Sequence, residues 1–159
     1  MRRFDREVTG LDNILAILDN CEILRLGMCF EAKPYIVPMN FAYEVVNESV
    51  FIYLHCASQG KKLDIISKND NVCFEADCSY KILEDENACN WSVEFRSVMG
   101  EGHISVLTDE IKKAASLDIL MKRHGFEGTP HYPPQALAAV TVLQIAVTSI
   151  TGKRNMKNS

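Results

Sequence analysis

Residues 35–62 read YIVPMNFAYEVVNESVFIYLHCASQGKK. Val50 to Cys56 alternates, with Phe51, Tyr53 and His55 on one face of a strand. Tyr35 to Val46 reads as its antiparallel neighbour across the turn Asn47-Glu48-Ser49. Pro38 lies inside that neighbour. Proline has no N–H to give a ladder, so this strand belongs at a sheet edge or carries a bulge. The pattern then changes. Ser58-Gln59-Gly60-Lys61-Lys62 opens a short helix carrying Leu63, Ile65 and Ile66, and Asn69-Asp70-Asn71 ends it.

Working outward, Cys21 to Glu31 alternates with Leu24, Leu26, Met28 and Phe30 on one face, and Lys33-Pro34 is a turn. With the two strands above this makes a three-stranded meander. Upstream, Thr9-Gly10-Leu11-Asp12 resembles a capping box, and Leu11, Ile14, Leu15 and Leu18 place a helix over about residues 10–20. Downstream, Val72 to Asp77 is a fourth strand. Residues 79–90, with Glu84, Asp85 and Glu86, read as an excursion from the sheet. Trp91 to Met99 is a fifth strand, Gly100-Glu101-Gly102 a bulge or bend, and His103 to Leu107 continues it. Thr108 is placed as the cap of a helix. Asp109 and Glu110 sit in its first turn, Lys122, Arg123 and His124 in its last, and Gly125 stops it. Residues 126–134 form a loop, Ala136 to Ala139 a helical turn, and Val140 to Ile150 the last strand. Residues 1–8 read as an extension and 152–159 as a flexible tail.

The sum is a mainly β (α+β) chain: six to seven antiparallel strands with about three short helices. It lacks a βαβ rhythm, which excludes a doubly wound sheet. A closed or partly closed barrel removes exposed edges and fits best. No linker or repeat interrupts residues 1–159, so one domain is expected.

Composition narrows the function. The chain has 159 residues, 47% hydrophobic, enough to bury a core without staples. Its net charge of −4 argues against nucleic acid as a partner. No apolar run reaches the roughly 18 residues of a membrane span. Met1 to Glu7 has basic residues without an apolar stretch behind them, unlike a signal peptide, so the cytoplasm is expected. None of the six cysteines is spaced C-x-x-C. Cys29, Cys56 and Cys73 lie in alternating segments and read as buried thiols. Cys78 and Cys89 flank the polar excursion and read as the accessible pair.

Two segments could carry chemistry. A helix beginning with Ser58, Lys61 and Lys62 could hold an anion, phosphate above all; the alternative is a capped surface helix with solvated lysines. Arg96 lies in a half-apolar strand. Facing inward it would need a carboxylate or phosphate partner; facing out it would pair with Glu94 or Glu101. His55, His103, His124 and His131 are scattered, with no metal-ligand spacing, so no metal is expected.

The ordered set of motifs resembles a known family. They are Arg2-Arg3-Phe4-Asp5-Arg6-Glu7; Pro34 and Tyr35 with Pro38 to Phe41; His55 to Leu63; Val72 to Glu75; Arg96 to Gly102; and Thr151-Gly152-Lys153. The chain is similar to the flavin-binding split β-barrels of the pyridoxamine 5'-phosphate oxidase superfamily, and within it to the 5-nitroimidazole resistance group. The resemblance implies a six-stranded split barrel and a homodimer with a flavin, FMN or else FAD, at the subunit interface. It implies that Lys62, helped by Ser58 and Lys61, holds the flavin phosphate, with Ala57 among the cofactor-binding residues. Pro38, Met39, Asn40 and Phe41 would lie along the ring, with His55 lining the same cleft as the catalytic candidate. Trp91, Arg96, Ser97 and Val98 would reach the flavin region. The implied activity is flavin-dependent reduction of a small planar acceptor such as a nitroimidazole. The alternative is a flavin- or haem-binding split barrel without catalysis.

Overall fold

The computed structural model describes residues 3–156. Strands β1 (Glu7–Val8), β2 (Leu24–Phe30), β3 (Lys33–Met39), β4 (Phe41–Val46), β5 (Ser49–Ala57), β6 (Asn71–Leu83), β7 (Ser92–Val106) and β8 (Val140–Asn155) form one antiparallel sheet. Helices α1 (Leu11–Asp19), α2 (Lys61–Ile66), α3 (Glu110–Arg123) and α4 (Pro134–Ala139) decorate it. The sheet order is β3-β2-β6-β7-β8-β5-β4, with β1 added on β8. The mainly β, antiparallel reading is therefore correct.

The meander is not. β2 pairs with β3, and β4 with β5, but β3 and β4 occupy opposite edges of the sheet. The expected single strand from Tyr35 to Val46 breaks at Asn40, which joins the two edges. The sheet curls so that one residue spans from edge to edge, yet the edges do not pair, so the barrel is split rather than closed. Pro34 and Pro38 both lie in β3, an edge strand where a missing N–H is tolerated.

One face of the curled sheet buries Phe41, Phe74, Leu24, Leu26, Ile52, Leu54, Leu143 and Ile145. Helix α1 closes this core with Ile14, Ile17 and Leu18. Each such side chain contributes about 1.5–3 kcal/mol by leaving water. The opposite face of β4, β5 and β8 carries Ala42, Tyr53 and Val142, which pack under Leu117 and Leu120 of α3. Tyr53 Oη donates to Glu44 Oε1 at 2.5 Å and accepts from Gln144 Nε2 at 3.0 Å. Burial, with the Glu44 carboxylate beside it, pushes the Tyr53 hydroxyl up to about 12.

Several local expectations change. Gly10, at φ 85°, precedes α1, and Thr9 makes no side-chain cap. Asp109, not Thr108, caps α3: its carboxylate accepts from Lys112 N at 2.9 Å. The β6 strand runs on through Leu83, so the excursion is largely a continued hairpin arm with a bulge between Cys78 and Lys81. The tail is not frayed at its start. Residues 152–155 belong to β8, where Gly152 opposes both Val8 and Val98. Likewise Glu7 and Val8 of the expected extension are sheet residues. Arg2 of the opening motif and residues 157–159 of the tail lie outside the described residues.

The cysteines also differ. All six are free. Cys21 is buried, Cys56 and Cys78 are half-buried, and Cys29 and Cys73 are exposed with Cys89. Cys29 and Cys73 alternate with the core residues Met28, Val72 and Phe74, and so point outward. Among the described residues, no helix is long and apolar enough to cross a membrane.

Candidate functional site

The β4–β5 ladder builds one end of the site. Phe41 pairs with Leu54, the last pair of that ladder before the chain turns at Asn40. His55 in turn opposes Val142, and Ala57 opposes Val140. Side chains alternate across a strand, so Leu54 points into the core while His55 stays exposed on the α3 face. Of the ring-side candidates, Met39 and Phe41 are buried, whereas Pro38 and Asn40 are exposed. The fold thus sets Phe41 beside the strand that carries His55, and two of the four ring-side residues are core rather than surface.

Beyond Ala57 the chain turns at Ser58 and enters α2. Gly60 sits at φ 144°, where an L side chain would be strained, and an added Cβ would meet open space. The constraint is backbone, not packing. Gly60 C=O accepts from Leu63 N at 2.9 Å, which starts the turn. The helix is only six residues long, so its dipole is weak and the charge must come from side chains. Lys61 Nζ stands 4.6 Å from the centre of the Tyr35 ring on β3. Lys62 turns toward β5. Burial raises the Cys56 thiol above its ordinary value, and the Lys62 ammonium partly offsets that. Neither lysine has a carboxylate ion-pair partner among the described residues. Ser58, Lys61 and Lys62 thus lie within one five-residue turn between β5 and α2, a donor set whose chemistry suits a phosphate. The role of Tyr35 in positioning Lys61 was not evident beforehand, because a half-buried tyrosine on an edge strand reads as packing.

The second group lies elsewhere. Arg96 opposes Cys78 on one side and Arg154 on the other, Ser97 opposes Lys153, and Val98 opposes Gly152. Arg96 and Arg154 line a cavity of about 340 Å³ with Glu7, Asn13 and Asn20. Like charges directly opposite on neighbouring strands are unfavourable. Among the described residues Arg96 forms no ion pair with Glu101, and Val98 is buried. Trp91 is half-exposed and its Nε1 donates to Asp85 O at 2.7 Å, out on the hairpin arm.

The two groups are far apart within one chain. His55 pairs with Val142 and Arg96 with Arg154, and those partners are separated by about 40 Å of strand along β8. One chain does not gather all the candidates around one small ligand. His103 is engaged separately: its Nδ1 lies 3.3 Å from Asp70.

Beside Asn40 opens a cavity of about 920 Å³. Ala42, Tyr43, Ile119, Lys122, Arg123 and His124 line it with the end of α1. Arg123 fixes this wall. Its guanidinium lies 4.3 Å from the centre of the Phe41 ring and donates to Leu18 O at 2.5 Å and Cys21 O at 2.9 Å. Tyr43 Oη donates to Asp19 at 2.6 Å, and burial with that carboxylate raises its pKa. In the sequence Arg123 is only a favourable charge at a helix end.

The pattern of the pyridoxamine 5'-phosphate oxidase family matches residues 11–154. A candidate 5-nitroimidazole antibiotic resistance protein from Bacteroides thetaiotaomicron is 28% identical and superposes with a TM-score of 0.81, over 93% of this chain and 86% of that one. A flavocytochrome from Azotobacter vinelandii has a TM-score of 0.81 at 19% identity, over 98% and 72% of the two chains. An FAD- and haem-binding protein from Mycobacterium smegmatis has a TM-score of 0.78 at 16% identity, over 94% and 73%. These two share the fold alone. Among curated proteins none matches. With nearly its whole length matched, the chain belongs to the pyridoxamine 5'-phosphate oxidase family.

Proposed function

We propose that this protein binds a flavin, FMN in the first instance, in a cleft completed by a second copy of the chain, and reduces a small planar acceptor of the nitroaromatic kind. The observation that carries the reading is the turn from β5 into α2, where Ser58, Lys61 and Lys62 follow His55 and neither lysine has a carboxylate ion pair among the described residues. Lys61, Lys62 and the Ser58 hydroxyl would grip the phosphate. Asn40 and His55 would border the ring. FAD carries the same phosphate chemistry and is the other candidate.

The separation along β8 supports a second copy. Arg96 and Ser97 stand too far along β8 to touch a ring beside their own His55, but the same residues of a second copy are free to. An outer groove supports such an association. It is lined by Ile36, Met99 and Cys73, and Ile36 and Met99 are 67% and 60% exposed. The similarity to the Bacteroides protein favours a nitroimidazole-like acceptor.

When bound, a flavin supplies the electrons and the two-electron chemistry. The chain's own part is binding, orientation and protons. Lys61 is steered by the Tyr35 ring. A ring nitrogen of His55, exposed at the mouth, would give a proton to the reduced acceptor. Arg96 of the second copy would place positive charge where the reduced ring is anionic.

The test is the visible spectrum of the purified protein. Bands near roughly 370 and 450 nm are expected, from an oxidised flavin. A Soret band would assign haem instead. A colourless protein that takes up neither FMN nor FAD would end the flavin reading. Lys62→Ala should then weaken FMN binding about thirtyfold, the loss of about 2 kcal/mol for one charged contact to phosphate. Fluorescence titration with free FMN reads this. Unchanged affinity removes Lys62 from the phosphate site.

A further inference from the structure

We propose that Cys21 and Cys78 form a reversible dithiol–disulfide pair, a modification site independent of any cofactor. Both thiols point at one acceptor. Cys21 Sγ donates to Ile17 O at 3.2 Å and Cys78 Sγ approaches the same oxygen at 4.0 Å. The Cys78 thiol is also among the groups that push the Cys21 thiol up. They come from distant parts of the sequence, the turn after α1 and the far half of β6.

The backbone explains the meeting. The ladder between β6 and β7 slips between Cys78 and Lys81, and Ser79 takes φ 63°. A bulge re-aims the side chains beside it. Cys78 shares the strand face of Phe74 and Ala76, the face that α1 covers, and so meets the end of that helix. Ser79 Oγ lies 3.6 Å from Cys78 Sγ and can donate to a thiolate there.

The two cysteines differ in access, which orders the chemistry. Cys78 is half-buried and Cys21 is only 3% exposed. The oxidant is a low-molecular-weight disulfide. The Cys78 thiolate attacks one of its sulfurs, forming a mixed disulfide and expelling one thiolate. The Cys21 thiolate then attacks Cys78 Sγ, which forms the Cys21–Cys78 bond, breaks the mixed disulfide and releases the second small thiol. Each cysteine loses one proton to solvent, and two electrons pass to the small disulfide.

Burial pushes the Cys21 thiol up to about 12, and Cys78, Asp77 and Glu75 add to this. Closure therefore proceeds through a small thiolate fraction. Its rate should rise about tenfold per pH unit between roughly pH 7 and 9, because only the thiolate attacks.

The experiment treats the whole protein with oxidised glutathione, blocks the remaining thiols with iodoacetamide and maps peptides without reduction. The expected product lacks two hydrogens and joins the Cys21 and Cys78 peptides. The exposed Cys29 and Cys89 should carry glutathione or the alkyl label. In Cys21→Ser, Cys78 should instead accumulate as the glutathione adduct. If wild-type Cys78 ends as a lasting glutathione adduct with Cys21 still a thiol, the proposal is wrong. It is equally wrong if both remain alkylatable while the exposed cysteines react. The wild-type map decides the matter even if a variant folds poorly.

Discussion

Gly102→Ala should lower the folding stability by about 3 kcal/mol, one of the largest single-residue losses available here. The reason is close approach. A Cβ at position 102 would run into the Ala146 carbonyl oxygen, with Ile145 Cγ2 at 2.9 Å and the Ala146 carbonyl carbon at 3.1 Å. Backbone atoms of a central strand cannot step aside as a side-chain tip can. The β7–β8 register already slips between Glu101 and Gly102, so the ladder has no second adjustment to offer there. Urea unfolding should show the midpoint falling by about 1.5 M, for a slope of roughly 2 kcal/mol per M. The neighbouring Glu101→Ala removes an exposed side chain and should stay within about 0.5 kcal/mol of wild type. Equal midpoints for the two variants would refute the packing argument.

Arg123→Ala is the second large effect, again expected near 3 kcal/mol. The guanidinium is stacked on Phe41, lies 5.7 Å from the centre of the Tyr43 ring, and satisfies the carbonyls of Leu18 and Cys21. A partly desolvated cation–π contact contributes about 1–2 kcal/mol. Charged hydrogen bonds to carbonyls contribute about 1.5–3 kcal/mol each. Those gains overlap and are offset in part by ordering the side chain. The ion pair with Asp19 adds little, since the Asp19 side chain is 60% exposed. Arg123→Lys should restore less than half of the loss, because an ammonium cannot stack and donate to two carbonyls together. Thermal unfolding measures the total. Hydrogen exchange should quicken at residues 18–23 and in the last turn of α3. A variant with unchanged exchange there would show that Arg123 does not tie α3 to the end of α1.

What the sequence revealed depended on range. Alternation along Leu24 to Phe30 and Val50 to Cys56 is local, and those strands stand where periodicity puts them. Pro38 announced an edge correctly, because a missing donor is a local fact. That β3 and β4 lie at opposite edges is not local. Nothing in the sequence around Asn40 distinguishes a one-residue corner from a strand that continues. The bulge at Ser79 hid the continuation of β6, since its residues are polar like a loop. The site was half legible. Ser58, Lys61 and Lys62 lie within five residues and suggested an anion site by composition, whereas the separation of His55 from Arg96 emerges only from β8. Arg123 looked like an ordinary helix-end charge, because a stacking partner 82 positions away in the sequence leaves no trace in either segment.

The last strand has a consequence for how the molecule is made. β8 lies between β5 and β7, and its far end pairs with β1, so the final segment of the sheet to leave the ribosome is among its most central. Until residues 140–155 emerge, β5 and β7 each expose a long unpaired edge. Pairings such as Glu7 with Lys153 must also close nearly the entire chain. Such distant contacts slow folding and leave partly made chains open to edge-to-edge association. Synthesis therefore passes through an aggregation-sensitive interval that ends only when residues 140–155 have emerged, and a chain cut short before residue 140 would remain in it.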